Sequence, residues 1–264
     1  MEIAGRHVVV TGAASGMGRA MASRFAEEGA SAVVVADIDA DATRAVAEEI
    51  GALAVPTDVS RPEQIAALVK QAREANGPVD LFCSNAGVPG PGGGPEASDE
   101  EWQRTWEVNV MAHVWAAREL LPEMVERGDG YLLSTASAAG LLTQVSAMAY
   151  TATKHAAVAV AEWIAINYGD AGIKVSCLCP QGVRTPMVET AVEQDPVGAP
   201  ILLAEGLLEP AEVADTVVEG IREERFLILP HPRVADYAAL RGAQHERWLA
   251  GMRKLVRQAR SQNQ

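Results

Sequence analysis

The sequence predicts a doubly wound α/β fold, a parallel sheet covered by helices on both faces. Short β-branched runs alternate with longer Ala- and Glu-rich stretches along all 264 residues. Several of the runs, such as Val8-Val9-Val10 and Val33-Val34-Val35, are apolar without alternation, which implies burial on both faces. No break in composition marks a boundary, so the expectation is a single domain over 1–264.

The elements follow in order. A first strand at 7–11 leads into a helix over 16–28, and a second at 32–36 into a helix over 40–50. A third strand at 52–56 precedes a helix over 62–75, where Arg61-Pro62-Glu63 places proline in the first turn. The fourth, at 81–84, runs through the Gly/Pro-rich loop 89–95 into one long helix over 99–126, opened by the capping-box pattern Ser98-Asp-Glu-Glu101. A fifth strand at 131–134 precedes a helix over 148–168. After a sixth at 173–178, the segment 188–208 fits neither period and reads as an irregular excursion that could form a lid. A helix over 211–222, a seventh strand at 226–229 and a helical tail over 233–264 complete the chain.

Composition narrows the function. A net charge of −13 argues against nucleic acid, whose phosphates require clustered Lys and Arg. The tail is the exception, with Arg241, Arg247, Arg253, Lys254, Arg257 and Arg260, and is read as the solvated face of a last helix. The N-terminus lacks the apolar stretch of a signal peptide, and no segment approaches the roughly 18 apolar residues that span a bilayer. A cytoplasmic location without membrane attachment is therefore expected. Cys83, Cys177 and Cys179 read as buried free thiols, and no histidine stands near them to suggest a metal site.

Two patterns carry chemistry. Thr11-Gly-Ala-Ala-Ser-Gly-Met-Gly18 follows the first strand and opens the first helix. Glycine there allows a tight turn and close approach to a pyrophosphate, with helix N–H groups facing it. The spacing is G-x-x-x-G-x-G, and a purely structural turn would share it. Asp37 closes the second strand nineteen positions after Gly18, where a carboxylate can accept hydrogen bonds from an adenosine ribose. Asp39 and Asp41 compete for that role but lie beyond the strand end. A carboxylate there repels a 2′-phosphate, and Ile38 follows instead of Arg, so NAD is favoured over NADP.

The second pattern is Tyr150-Thr-Ala-Thr-Lys154, which stacks a phenol and an ammonium on one helix face. At an effective dielectric of about 20, a pair about 4 Å apart interacts by about 4 kcal/mol. That is about three pKa units, enough to draw a phenol towards neutrality, where general acid–base groups work best. The spacing alone is common.

Taken in order, these motifs make the chain resemble the short-chain dehydrogenase/reductase family over nearly its whole length. They are Gly12, Ser15, Gly16, Met17 and Gly18 in the first turn, Asp58-Val59 after strand three and Asn85-Ala86-Gly87 after strand four. Asn109 in the long helix and Ser137, thirteen residues before Tyr150-x-x-x-Lys154, follow. The resemblance implies a seven-stranded Rossmann-type sheet, Asp58 and Val59 against the adenine, and Asn85-Ala86-Gly87 beneath the adenosine. It implies a substrate-holding role for Ser137 and acid–base work for Tyr150. Lys154 would lower the phenol pKa and bind the nicotinamide ribose, and Asn109 would distort its helix. Ser134, Thr135 and Ser146 lie close to Ser137, but the alignment to Ala139-Gly140 selects Ser137, with Ser134 structural.

There are two departures. The family's Pro-Gly-x-Val-x-Thr is replaced by Pro180-Gln181-Gly182-Val183-Arg184-Thr185, which keeps Pro180, Gly182, Val183 and Thr185 for the carboxamide end but demands a different turn at Gln181. The C-terminus has 226–232 and a Trp-containing tail where many relatives carry a Gly-rich segment. His231, between prolines, reads as turn structure. A homodimer or homotetramer through the helices at 99–126 and 148–168 is implied.

The residues flanking Tyr150 and Ser137 are small or apolar, with Gln144 and Gln181 adding neutral polarity and Arg184 able to serve an acid only by turning inward. An uncharged, fairly hydrophobic secondary alcohol or ketone is therefore expected. Epimerase- or lyase-like chemistry, and a silent NAD-binding regulator, are the alternatives. The retained Ser137, Tyr150 and Lys154 argue against the last.

Overall fold

The structure, a computed structural model, describes residues 1–262. Seven parallel strands form one sheet in the order β3-β2-β1-β4-β5-β6-β7. They are β1 (His7–Thr11), β2 (Ala32–Asp37), β3 (Leu53–Pro56), β4 (Leu81–Ser84), β5 (Gly130–Thr135), β6 (Ile173–Leu178) and β7 (Leu227–Ile228). The doubly wound expectation therefore holds. The seventh strand is shorter than 226–229 because it sits at the edge and pairs only with β6 at two positions.

Both sheet faces are covered, as the continuous apolar runs required. Val9 and Val34 point into a core built with α3 (Pro62–Asn76) and, beyond it in sequence, the helices after β4 and β5. Val8, Val10, Val33 and Val35 point into the other, with α1 (Gly16–Glu27) and α2 (Ala40–Ile50). Burying a Val or Leu side chain contributes about 1.5–3 kcal/mol, so a strand buried on both sides holds its register firmly.

The long helix expected over 99–126 is divided. α4 (Asp99–Trp106) starts from the reciprocal Ser98–Glu101 capping box. A π-helical turn, Glu107–Met111, then separates it from α5 (Ala112–Arg127). Asn109 sits inside that turn, fully buried. α6 (Met148–Tyr168) lies beside α5.

The segment 188–208 is more regular than its sequence suggests. Thr185 caps α7 (Pro186–Gln194) by accepting a hydrogen bond from the Val188 N–H at 3.3 Å, with Pro186 in the first turn. A short α8 (Ala199–Leu202) follows. α9 (Pro210–Arg222) packs on the α1 face. The tail is two helices rather than one, α10 (Arg233–Ala243) and α11 (His245–Gln262). Among the described residues no helix is long and apolar enough to cross a membrane.

Candidate active site

The strand order reverses between β1 and β4, so the connections after these strands run to opposite sides and leave a crevice at their carboxyl ends. A cleft of about 680 Å³ occupies that place. Of the positions expected from sequence, all but Asn109 and Gly182 line it.

The floor at one end is the turn from β1 into α1. Gly12 has φ of 65°, and a Cβ on it would stand 2.8 Å from the Ala86 Cα. A Cβ on Gly18 would collide with the Gly12 carbonyl oxygen. These glycines bring the turn down onto the Asn85-Ala86-Gly87 loop. Ser15 precedes α1 without a side-chain capping bond, and the first turn carries no acid. The helix N-terminus therefore presents N–H groups and the positive end of its dipole to the cleft, an anion-binding arrangement.

Asp37 lies at the end of β2, beside this turn. Its carboxylate accepts from the Ala14 N–H at 3.1 Å and the Asp39 N–H at 3.2 Å, which fixes its orientation. Asp39 is occupied elsewhere, capping α2 through the Asp41 and Ala42 N–H groups. That removes the main competitor for a ribose ligand. Asp58 is likewise held, accepting from the Ser60 N–H and hydroxyl at 2.9 and 2.7 Å. The set fits an adenine dinucleotide: an open helix N-terminus for the pyrophosphate and an oriented acid for the ribose.

Asn85 acts as a clamp between strand ends. Its Nδ2 donates to the Thr11 carbonyl at 3.0 Å, and its Oδ1 accepts from the Thr135 hydroxyl at 3.2 Å. Thr11 in turn accepts from the Asn85 and Ala86 N–H groups at 3.0 and 3.2 Å. In the sequence Thr11 stood only as the start of the glycine turn and Thr135 only as a neighbour of Ser137, and neither was given this bridging role. A threonine ending a strand has no distinctive spacing. Arg104 of α4 and Glu107 of the π-helical turn also line the cleft and carry no motif.

At the other end of the cleft stand Ser137, Tyr150 and Lys154. The Ser137 Oγ accepts from the Ala139 N–H at 3.1 Å. Lys154 is buried, donating to the Thr135 carbonyl at 3.0 Å, with Nζ 5.6 Å from the centroid of the Tyr150 ring. Burial pulls the ammonium down to a pKa of about 8, against partial support from the Cys177 and Cys179 thiols. The Tyr150 phenol moves up, because burial outweighs its hydrogen bond to Ser137. This corrects the expectation from spacing: the ammonium leans to the Thr135 carbonyl, and desolvation wins.

Asn109 supports the site from behind. Its Oδ1 accepts from the Val88 N–H and its Nδ2 donates to the Val88 carbonyl, both at 2.9 Å, and Nδ2 also reaches the Thr153 hydroxyl at 3.2 Å. A methyl group on Gly87 would lie 3.3 Å from the Asn109 Oδ1 and 3.4 Å from the Lys154 Nζ. The three residues therefore meet. Ser134 is structural as expected, sharing a 3.3 Å hydrogen bond with the buried His113.

The unusual turn at Gln181 has its own support. The Gln181 N–H donates to the His231 Nδ1 at 3.2 Å, and its side-chain Nε2 donates to the Ile201 and Leu202 carbonyls at 3.0 and 3.3 Å. Gly182 is buried beneath, where a Cβ would stand 2.9 Å from the Gly206 carbonyl oxygen. Arg184 turns outward to Glu209 at 2.7 Å and offers the cleft no cation. The cysteines are buried free thiols, as read.

Known proteins resemble the chain in sequence and fold. The family model described as short chain dehydrogenase matches residues 6–196. A 1-deoxy-11-beta-hydroxypentalenate dehydrogenase of Streptomyces exfoliatus is 38% identical over 86% of this chain and 84% of its own. Estradiol 17-beta-dehydrogenase 11 of Mus musculus is 32% identical over 94% of this chain and 83% of its own. A crystal structure of a short chain dehydrogenase/reductase from Burkholderia phymatum in complex with NAD superposes with a TM-score of 0.85, at 34% identity over 93% and 96% of the two chains. With its sheet order, nucleotide cleft and ordered motifs, the chain belongs to the short chain dehydrogenase family of oxidoreductases.

Proposed function

We propose that the protein is an NAD-dependent oxidoreductase that interconverts a secondary alcohol and a ketone on an uncharged, fairly hydrophobic substrate, with Tyr150 as the acid–base group. The observation that carries this is one cleft with an oriented acid and an open helix N-terminus at one end and Ser137, Tyr150 and Lys154 at the other. Support for NAD over NADP comes from Asp37, whose fixed carboxylate repels a 2′-phosphate, and from the absence of a cation at Ile38. Two relatives are named for hydroxylated compounds, estradiol and a hydroxypentalenate.

Bound nicotinamide would supply or accept the hydride at the substrate carbon. The chain's own residues handle orientation and the proton. Ser137, fixed by the Ala139 N–H, gives its hydroxyl proton only a long 3.5 Å bond to the Pro180 carbonyl and would turn it to the substrate oxygen. Tyr150 gives its phenolic proton to that oxygen in reduction and takes it back in oxidation. Lys154 has three donors, of which the Thr135 carbonyl takes one, leaving others for the nicotinamide ribose. Asp37, Asp58 and the α1 N-terminus would hold the adenosine half. The exposed Trp163 and Ile166 of α6 support a homodimer or homotetramer built on that helix.

The test is absorbance of the reduced nicotinamide with a panel of secondary alcohols and either dinucleotide. Turnover with NAD of apolar secondary alcohols is expected. A clear preference for anionic acyl thioesters or sugar phosphates would contradict the substrate class, and a preference for NADP would contradict the reading of Asp37.

A further inference from the structure

A second, half-open hollow of about 470 Å³ lies beside the main cleft, between the loop after Ser137, the short α8 and the C-terminal helices. Leu142, Ala204, Tyr237, Trp248 and Met252 contribute to its walls, and among the described residues no charged side chain lines it. The α11 residues facing it, Trp248, Met252, Leu255 and Ala259, recur at helical spacing and form one apolar stripe. Arg253, Lys254 and Arg257 are exposed on the same helix. So the amphipathic tail turns its apolar face onto a space rather than onto a packed core.

The cavity is joined to the catalytic cleft by one residue. Gln181 lines both. Its Nε2 ties α8 to the turn after β6, while its Oε1 is buried without a hydrogen-bond partner. The partition between the two spaces is thus a side-chain amide held at one end only, which an entering group can displace. On the far side, Arg241 of α10 donates to the Leu141 carbonyl at 3.1 Å, anchoring the tail to the loop that follows Ser137.

We infer that this tail-roofed chamber is the distal half of the substrate site, taking the extended apolar body of a ketone or alcohol whose oxygen sits at Tyr150, with Gln181 as the partition between the halves. The inference rests on the proposed alcohol–ketone chemistry and adds to it the size of the substrate and the purpose of the C-terminal helices.

The experiment uses methyl ketones lengthened one methylene at a time, from butanone to nonyl methyl ketone. Each methylene that enters the chamber should raise kcat/KM by about fourfold. The ratio of kcat/KM for the longest over the shortest should reach roughly a hundredfold or more in the natural chain. Ala204→Trp fills the chamber from the turn after α8, and Met252→Trp fills it from α11. Either variant, shown folded by its thermal transition, should collapse the ratio towards one. A ratio near one in the natural chain, or an unchanged ratio in a folded variant, would overturn the inference. Should the protein reduce no ketone at all, the chemistry fails separately, and nonyl methyl ketone titrated against intrinsic fluorescence decides the chamber. A saturable change abolished by Trp248→Phe supports it, and no change refutes it.

Discussion

Replacing Lys154 with Met separates two properties of the buried ammonium. Its pKa in the fold, about 8, lies below the ordinary 10.5 because burial penalises the charge. Below pH 8 both folded and unfolded chains carry the proton, so the full penalty is present; it fades between pH 8 and 10.5 as the folded state loses the proton first. At pH 7 the variant should resist urea better, by up to about 3 kcal/mol, and lose turnover. A gain that does not shrink above pH 8 would contradict the assignment. Asp37→Ala should weaken NAD binding, measured by calorimetry, and relax discrimination against NADP. Unchanged preference would move the ribose role to another acid. The place of Asp37 was legible because it ends a strand whose apolar run is unmistakable, whereas Asp39 was read only as a competitor and its capping of α2 was missed, although an acid before a helix carries that signal. The Tyr150–Lys154 geometry was not, since helical spacing sets a shared face but not which carbonyl the ammonium finds.

The π-helical turn at Glu107–Met111 shows what a single element contributes. Asn109 pairs with both backbone groups of Val88 and thereby sets the loop that carries Gly87 past Lys154. Asn109→Ala removes both partners, and each buried group left unpaired costs about 1–3 kcal/mol. The variant should show a lower unfolding midpoint and reduced kcat even where it remains folded. A midpoint matching the natural chain would contradict the role. The capping boxes and strand runs were readable because they are local. The π turn was not readable from helical pattern, which continues across it, and only a partner twenty-one residues away distinguishes Asn109; the family resemblance alone implied a distortion there. In 188–208 the prolines and Gly198 masked two helices, although Thr185-Pro186 carries a proper start signal. The Gln181 tether depends on α8 and was beyond reach of sequence for the same reason.

Across the whole molecule, the reversal of strand order gathers groups from β1, β2, β4, β5, β6 and α6 into one cleft. The ordered motifs made this architecture legible in the sequence, while the chamber under α11 depends on the fold. The same dense packing sets acid stability. His113 is held at a pKa of about 3, by burial first and the Lys154 charge second. As pH falls below the ordinary 6.5, the unfolded chain takes up a proton that the fold refuses, so stability declines until about pH 3. His113→Leu should flatten that decline by about 3 kcal/mol between pH 7 and pH 4, read from urea midpoints at the two pH values. Equal declines in both proteins would contradict it.

The proposed proton transfer by Tyr150 during hydride transfer is tested by Tyr150→Phe, assayed by nicotinamide absorbance on a secondary alcohol, with NADH binding followed by fluorescence. The variant should show kcat lower by about 10²–10⁴-fold with binding retained, and the natural chain an oxidation rate that climbs into alkaline pH because burial raises the phenol pKa. Equal turnover by the phenylalanine variant would rule out Tyr150 as the acid–base group.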